Sequence, residues 1–176
     1  MGEHICFRRN ERLATVNPHW RGNPVVRGKF VNRQHRFRPG MGSVLKWRLS
    51  PNPQRKEKKS VKWSPKLNYL RSLDGVVGNS LIWLGHNSFF LQLARKRIMF
   101  DPVFGDIPFV KRQSDFPANP DIFTDIDYLL ISHDHFDHLD KQSVARLVKN
   151  NPGMKLFCGL GTGEHCLLYT SDAADD

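Results

Sequence analysis

The stretch IDYLLIS, residues 126–132, is nearly all apolar and shows no 3.6-residue period. Such a run predicts a buried strand rather than an amphipathic helix. HDHFDH follows at once, residues 133–138. Asp140 then precedes KQSVARLVKN, where Val144, Leu147 and Val148 fall at i, i+3 and i+4 and define one buried stripe. Asp140 is the expected N-cap of that helix, NPG at 151–153 its end, and KLFCGL at 155–160 the next strand. A strand–motif–helix–strand order is an α/β unit, and in open α/β sheets ligands gather at the C-terminal ends of the strands. The histidine cluster lies at such an end.

Upstream, SLIWL (80–84) reads as a short strand and GHN as a turn. SFFLQLA (88–94) and RIMFD (97–101) flank Arg95 and Lys96 as a hairpin, and DPVFGDIP is a turn-rich loop. Before these lies a different kind of chain. Residues 1–71 hold 18 Lys/Arg against 3 Asp/Glu, whereas 72–176 hold 9 against 14. The net charge of +10 therefore comes from a basic, Pro/Gly-rich N-terminal arm, with a more acidic body behind it. The arm shows no sustained period and reads as irregular. Trp20, Phe30, Phe37, Trp47 and Trp63 argue against full disorder, which is poor in aromatics.

Several function classes are disfavoured. Three cysteines, Cys6, Cys158 and Cys166, with no CxxC pair, do not form a disulfide framework. Charged residues interrupt the start of the chain, so no signal peptide is expected, and no apolar run reaches about 18 residues. The expected location is cytoplasmic or peripheral to a membrane. GLGTG at 159–163 has the spacing GxGxG rather than GxGxxG and lacks a following acidic partner, so a tight turn is expected there, not a dinucleotide loop.

The spacing of the cluster carries chemistry. In an extended segment His133 and His135 project to one side, Asp137 can join them, and His138 comes where the chain turns into the helix. Imidazole nitrogens and a carboxylate suit zinc, with iron or manganese as alternatives. Two close ligand pairs, His133 with His135 and Asp137 with His138, can serve two metals. Two metals about 3.5–4 Å apart hold a hydroxide and clamp an ester or phosphate in line. Asp134 and Phe136 have the opposite parity; Asp134 is expected to anchor backbone and Phe136 to pack.

HDHFDH fits the HxHxDH signature of the metallo-β-lactamase fold hydrolases. With IWLGHNSFFLQLARKRIMFDPVF and DYLLISHDHFDHLD around it, the chain resembles the subgroup containing N-acyl-phosphatidylethanolamine-hydrolysing phospholipase D and bacterial metal-dependent hydrolases. GKFVN in the arm is similar too. The resemblance implies an α/β fold: the first half of an αββα metallo-β-lactamase sandwich over residues 72–165, preceded by the arm. It implies that His133, His135, Asp137 and His138 are metal ligands, with Asp137 also steering the nucleophilic water. Asp101 would lie under the site and hold its backbone or a ligand histidine, the alternative being a plain turn residue before Pro102. His86 would lie near the metal cleft, the alternative being a satisfied loop histidine. The implied cofactor is a pair of zinc ions. The implied partner is a phospholipid or other ester or phosphodiester substrate.

The same resemblance implies further ligands downstream: a third histidine for the first metal, an aspartate bridging both, and another histidine. After His138 only His165 remains, in a turn where no ligand is expected. CLLYTSDAADD, residues 166–176, can be back-translated into a string resembling a transposase adapter of sequencing libraries, so this segment is expected to be an artefact. The 176 residues taken alone are then expected to be inactive and poorly folded. Two further readings stand beside the zinc-dependent phosphodiesterase. The basic arm reads first as an ordinary solvated face with an N-terminal strand; with its interleaved aromatics it also suits an anionic membrane surface or, less well, nucleic acid, which would fit a nuclease of the same fold. The third is a non-enzymatic basic binding protein with a vestigial site.

Overall fold

A computed structural model describes residues 4–11, 17–31, 40–61, 65–107, 112 and 114–163. Phe37, Trp63, His165 and the segment 166–176 lie outside the described residues. The chain divides into two compact units, Met1–Lys62 and Trp63–Asp176.

The first unit holds β1 (Cys6–Arg8), β2 (Asn23–Val26) and β3 (Lys29–Phe30), joined antiparallel in that order, then helices α1 (Met41–Leu49) and α2 (Arg55–Ser60). These strands are too short to print an alternation, and neither helix buries any residue, so neither shows an apolar stripe. That is why the arm reads as irregular from its sequence. The β2–β3 turn has positive φ at Arg27 and Gly28. Gly22, at φ +107°, packs so tightly on the backbone of Arg8 that a Cβ would stand 2.6 Å from its carbonyl oxygen.

The second unit is one sheet of five strands in chain order: β4 (Ser80–Gly85), β5 (Ser88–Leu93), β6 (Lys96–Phe100), β7 (Tyr128–Ile131) and β8 (Lys155–Cys158). The first three strands form antiparallel hairpins. The β5–β6 loop is only Ala94–Arg95, both with positive φ, as a primed two-residue turn requires. Asn79 supports it by accepting the Ala94 N–H at 3.0 Å. β7 then joins β6 in parallel, and β8 joins β7 in parallel across α3 (Lys141–Asn150).

The two faces of the sheet differ. Phe90, Met99 and Leu129 are fully buried in one row, with Leu84 and Ile131 beside them. They meet Val144 and Leu147 of α3, as the stripe predicts, and Val148 packs against the same cluster. Phe123 completes this core, stacked at 5.8 Å on Phe104. On the opposite face the register aligns Trp83, Phe89, Phe100, Leu130 and Phe157 across the five strands. This row is apolar too, yet Trp83 is 52% and Phe157 54% exposed.

Asp140 caps α3, its carboxylate accepting the Ser143 N–H at 2.9 Å and the Ser143 hydroxyl at 2.6 Å. At the other end Asn151 is buried and fully used. It donates to the Phe123 and Leu147 carbonyls and accepts the Ile126 N–H, each at 2.9 Å.

Candidate metal centre

Three segments converge at one edge of the sheet because of its register. Phe100 pairs with Leu130 in parallel, so β6 and β7 end together, with Asp101 beside Ser132. β5 runs antiparallel to β6, with Phe89 opposite Phe100, so the β4–β5 turn that carries His86 and Asn87 reaches the same edge. The motif therefore meets residues 37 to 51 positions away.

The backbone stays extended only as far as His133. The His135 carbonyl accepts the N–H groups of His138 at 2.9 Å and Leu139 at 2.7 Å, closing a turn. The turn folds His138 back onto His133, with ring centroids 3.9 Å apart, while His135 stands 4.5 Å from His133 on the other side. His133 Nε2 is 3.0 Å from His135 Nδ1. Asp137 lies 2.9 Å from His86 Nε2 and 3.7 Å from His138 Nε2. Its hydrogen bond with His86 holds its carboxyl below the usual carboxylate range, so it is an anion at neutral pH.

Asp101 is buried beneath these groups. One carboxylate oxygen accepts the Ser132 N–H at 2.7 Å; the other accepts the Ser132 hydroxyl at 2.6 Å and lies 2.8 Å from His138 Nδ1. It thus touches both the backbone at the head of the motif and a candidate ligand ring. Its own backbone is fixed by Leu130, whose carbonyl accepts its N–H at 3.0 Å, and by Ser88, whose hydroxyl donates to its carbonyl at 2.8 Å. Those bonds hold it at φ +41°, a conformation that costs about 1–3 kcal/mol elsewhere. His86, at φ +49°, shares that strain.

All the sequence-derived residues, His86, Asp101, His133, His135, Asp137 and His138, are therefore at this edge. Phe136 is not packed, being 69% exposed: the turn carries its side chain away from the core. Asp134 is exposed as well. Two neighbours had no motif to announce them. Ser132 contacts Asp101, His133 and His138, and Asn87 places its amide nitrogen 3.0 Å from His138 Nε2. The signal for Ser132 was a polar residue closing an otherwise apolar strand. Arg112 secures the frame, donating to the carbonyls of Leu84 at 3.2 Å and Val103 at 3.1 Å.

The donor set of three imidazoles and one carboxylate fits a zinc-class ion in its chemistry. Among the described residues no three such side chains converge ready-made on a single point. His133 and His135 instead face each other: His133 Nδ1 lies 3.0 Å from the Ser132 hydroxyl and its Nε2 3.0 Å from His135 Nδ1.

Residues 96–168 match the family model described as the beta-lactamase superfamily domain. The resemblance is to metal-dependent hydrolases of that superfamily. The chain is 29% identical over 154 residues to N-acyl-phosphatidylethanolamine-hydrolyzing phospholipase D 1 of Caenorhabditis elegans, covering 78% of this chain and 43% of that protein. It is 36% identical over 78 residues to a metal-dependent hydrolase of Sulfolobus acidocaldarius, covering 44% of this chain and 31% of the relative. A metal-dependent hydrolase of Sulfurisphaera tokodaii is 34% identical over 77 residues, with 44% and 31% covered. The chain thus spans less than half the length of these relatives. Its sheet, with one face under a helix and the other apolar and open, is a mixed α/β arrangement consistent with part of a metallo-β-lactamase fold.

Proposed function

We propose that this chain carries the first part of the active site of a zinc-dependent phosphodiesterase, acting on lipids of the N-acyl-phosphatidylethanolamine type. The gathering of His133, His135, Asp137 and His138 at one edge of the sheet, with Asp101 beneath His138, is the observation that carries this reading. The likeness to the Caenorhabditis elegans phospholipase D over 78% of the chain supports the substrate class. In this reading the four residues would hold two ions, whose Lewis acidity would make water nucleophilic near neutral pH. Asp137, anionic and paired to His86, accepts a hydrogen bond from the attacking water and orients it. Asp101 keeps the His138 ring in place.

The arm's 18 Lys/Arg against 3 Asp/Glu support apposition to an anionic membrane, and with it a cytoplasmic, peripheral location. Among the described residues no helix is long and apolar enough to cross a membrane. The same charge supports a second reading, a nuclease of this fold.

The test uses the chain and the protein from its uninterrupted reading frame. Metal content is measured on both, and both are incubated with N-acyl-phosphatidylethanolamine vesicles and with RNA. Lipid cleavage by the longer protein, lost on chelation, is expected. RNA cleavage alone would favour the nuclease, and a longer frame lacking further His and Asp residues would favour a vestigial site.

A further inference from the structure

Ser132 has one hydroxyl proton and three neighbours that could engage it. The Asp101 carboxylate lies at 2.6 Å, His133 Nδ1 at 3.0 Å and His138 Nδ1 at 3.1 Å. The carboxylate can only accept, so it takes the proton. The serine oxygen is then left with lone pairs alone toward the two rings. His133 Nδ1 must therefore carry a hydrogen and donate it. His138 Nδ1 faces both that oxygen and the carboxylate at 2.8 Å, and a bare nitrogen there would set lone pair against lone pair. It too carries its hydrogen.

A neutral imidazole protonated at Nδ1 presents a bare Nε2. The surroundings agree at every step. His138 Nε2 accepts from the Asn87 amide at 3.0 Å, and His133 Nε2 accepts from His135 Nδ1 at 3.0 Å, which leaves His135 with a bare Nε2 as well. One hydroxyl, oriented by one carboxylate, sets the direction of the whole chain.

We propose that Ser132 is a positioning residue that holds His133 and His138 in the Nδ1–H tautomer, so that both aim an unprotonated Nε2 into the site. This deepens the metal-hydrolase reading and rests on it for its purpose, though not for its geometry. Ordinary exposed imidazoles in water prefer the opposite tautomer, so without Ser132 each ring would have to be converted before it could ligate through Nε2. Asp101 alone can serve His138; among the described residues the Nδ1 of His133 has only the serine.

The experiment is long-range proton–nitrogen NMR on the chain labelled with 15N-histidine, at pH 8. Zinc affinity is measured in parallel by competition with a chromogenic chelator. In the wild-type chain His133 and His138 are expected as Nδ1–H. In Ser132→Ala His133 is expected to turn to Nε2–H and His138 to become mixed, with zinc affinity down about 10- to 100-fold, as for other residues that orient ligands. Ser132→Thr, which keeps the hydroxyl, is expected to restore both readouts. Wild-type rings already in the Nε2–H form would overturn the proposal even if the alanine variant failed to fold. So would an alanine variant, folded by circular dichroism, with unchanged tautomers. Tautomers that follow Ser132 in a chain and a longer protein that both take up no zinc would support this assignment and overturn the metal reading.

Discussion

Asp101 and His138 stand 37 positions apart in the chain, and a carboxylate oxygen of one lies 2.8 Å from Nδ1 of the other. The same carboxylate accepts the backbone N–H of Ser132, so one side chain ties the end of β6 to both ends of the histidine motif. Asp101→Asn keeps the shape but points an N–H₂ group at groups that are themselves donors. We expect the variant to lose about 1–3 kcal/mol of stability in denaturant titrations. Zinc affinity should also fall by about 10- to 100-fold in chelator competition. Unchanged affinity would remove Asp101 from the site.

Asn151 predicts a larger loss of stability with no chemistry attached. Its amide satisfies Phe123, Leu147 and Ile126 in a buried pocket at the foot of α3. Asn151→Leu fills similar volume and orphans those groups. A loss on the order of 3 kcal/mol is expected, at one to three per stranded group. Urea unfolding followed by circular dichroism measures it.

Asp140 caps α3 and also engages the hydroxyl of Ser143, which in turn accepts the Phe104 N–H at 2.8 Å. Asp140→Ala should cost about 1 kcal/mol, within the usual range for a lost cap. Asp140→Asn should recover most of it, which a thermal melt series can resolve.

Acid should loosen the β6–β7 join. Asp127 bonds the Lys96 ammonium and the Arg97 N–H, and the hydrogen bond from Lys96 is the main cause of its lowered pKa. A carboxyl whose pKa is depressed by folding stabilises the fold above its unfolded value, near 3.9, and loses that contribution as pH falls through its folded value. Asp127→Asn should therefore lower Tm at pH 7, and the difference should vanish as the pH falls through the lowered pKa of Asp127. An equal drop at pH 7 and below that pKa would refute the assignment.

Most of the second unit was readable because its signals are strong. The apolar run ending at Ile131, the stripe of Val144 and Leu147, and the cap at Asp140 each obey a local rule. The strands β4 to β6 showed as short, largely apolar runs broken by short polar turns. The candidate ligands were readable because three histidines at that spacing are hard to reach otherwise. Ser132 and Asn87 were not, since a serine and an asparagine are ordinary anywhere, and only the sheet register makes them neighbours of His138. Phe136 misled, because parity holds in an extended chain and the backbone turns at His135. The strands and helices of residues 4–61 stayed hidden since two- to four-residue strands and wholly exposed helices leave no period.

The parallel join of β6 to β7 also governs timing. Asp101 can meet Ser132 only after the 31-position span between them has closed, whereas the β4–β5 and β5–β6 hairpins need only local contacts. Loop closure over such a span is the slow kind of event in folding. The ligand cluster is thus expected to assemble late, on a frame already built, and to contribute little to the folding nucleus. Substitutions at Asp101 or Ser132 should accordingly quicken unfolding and leave the folding rate almost untouched.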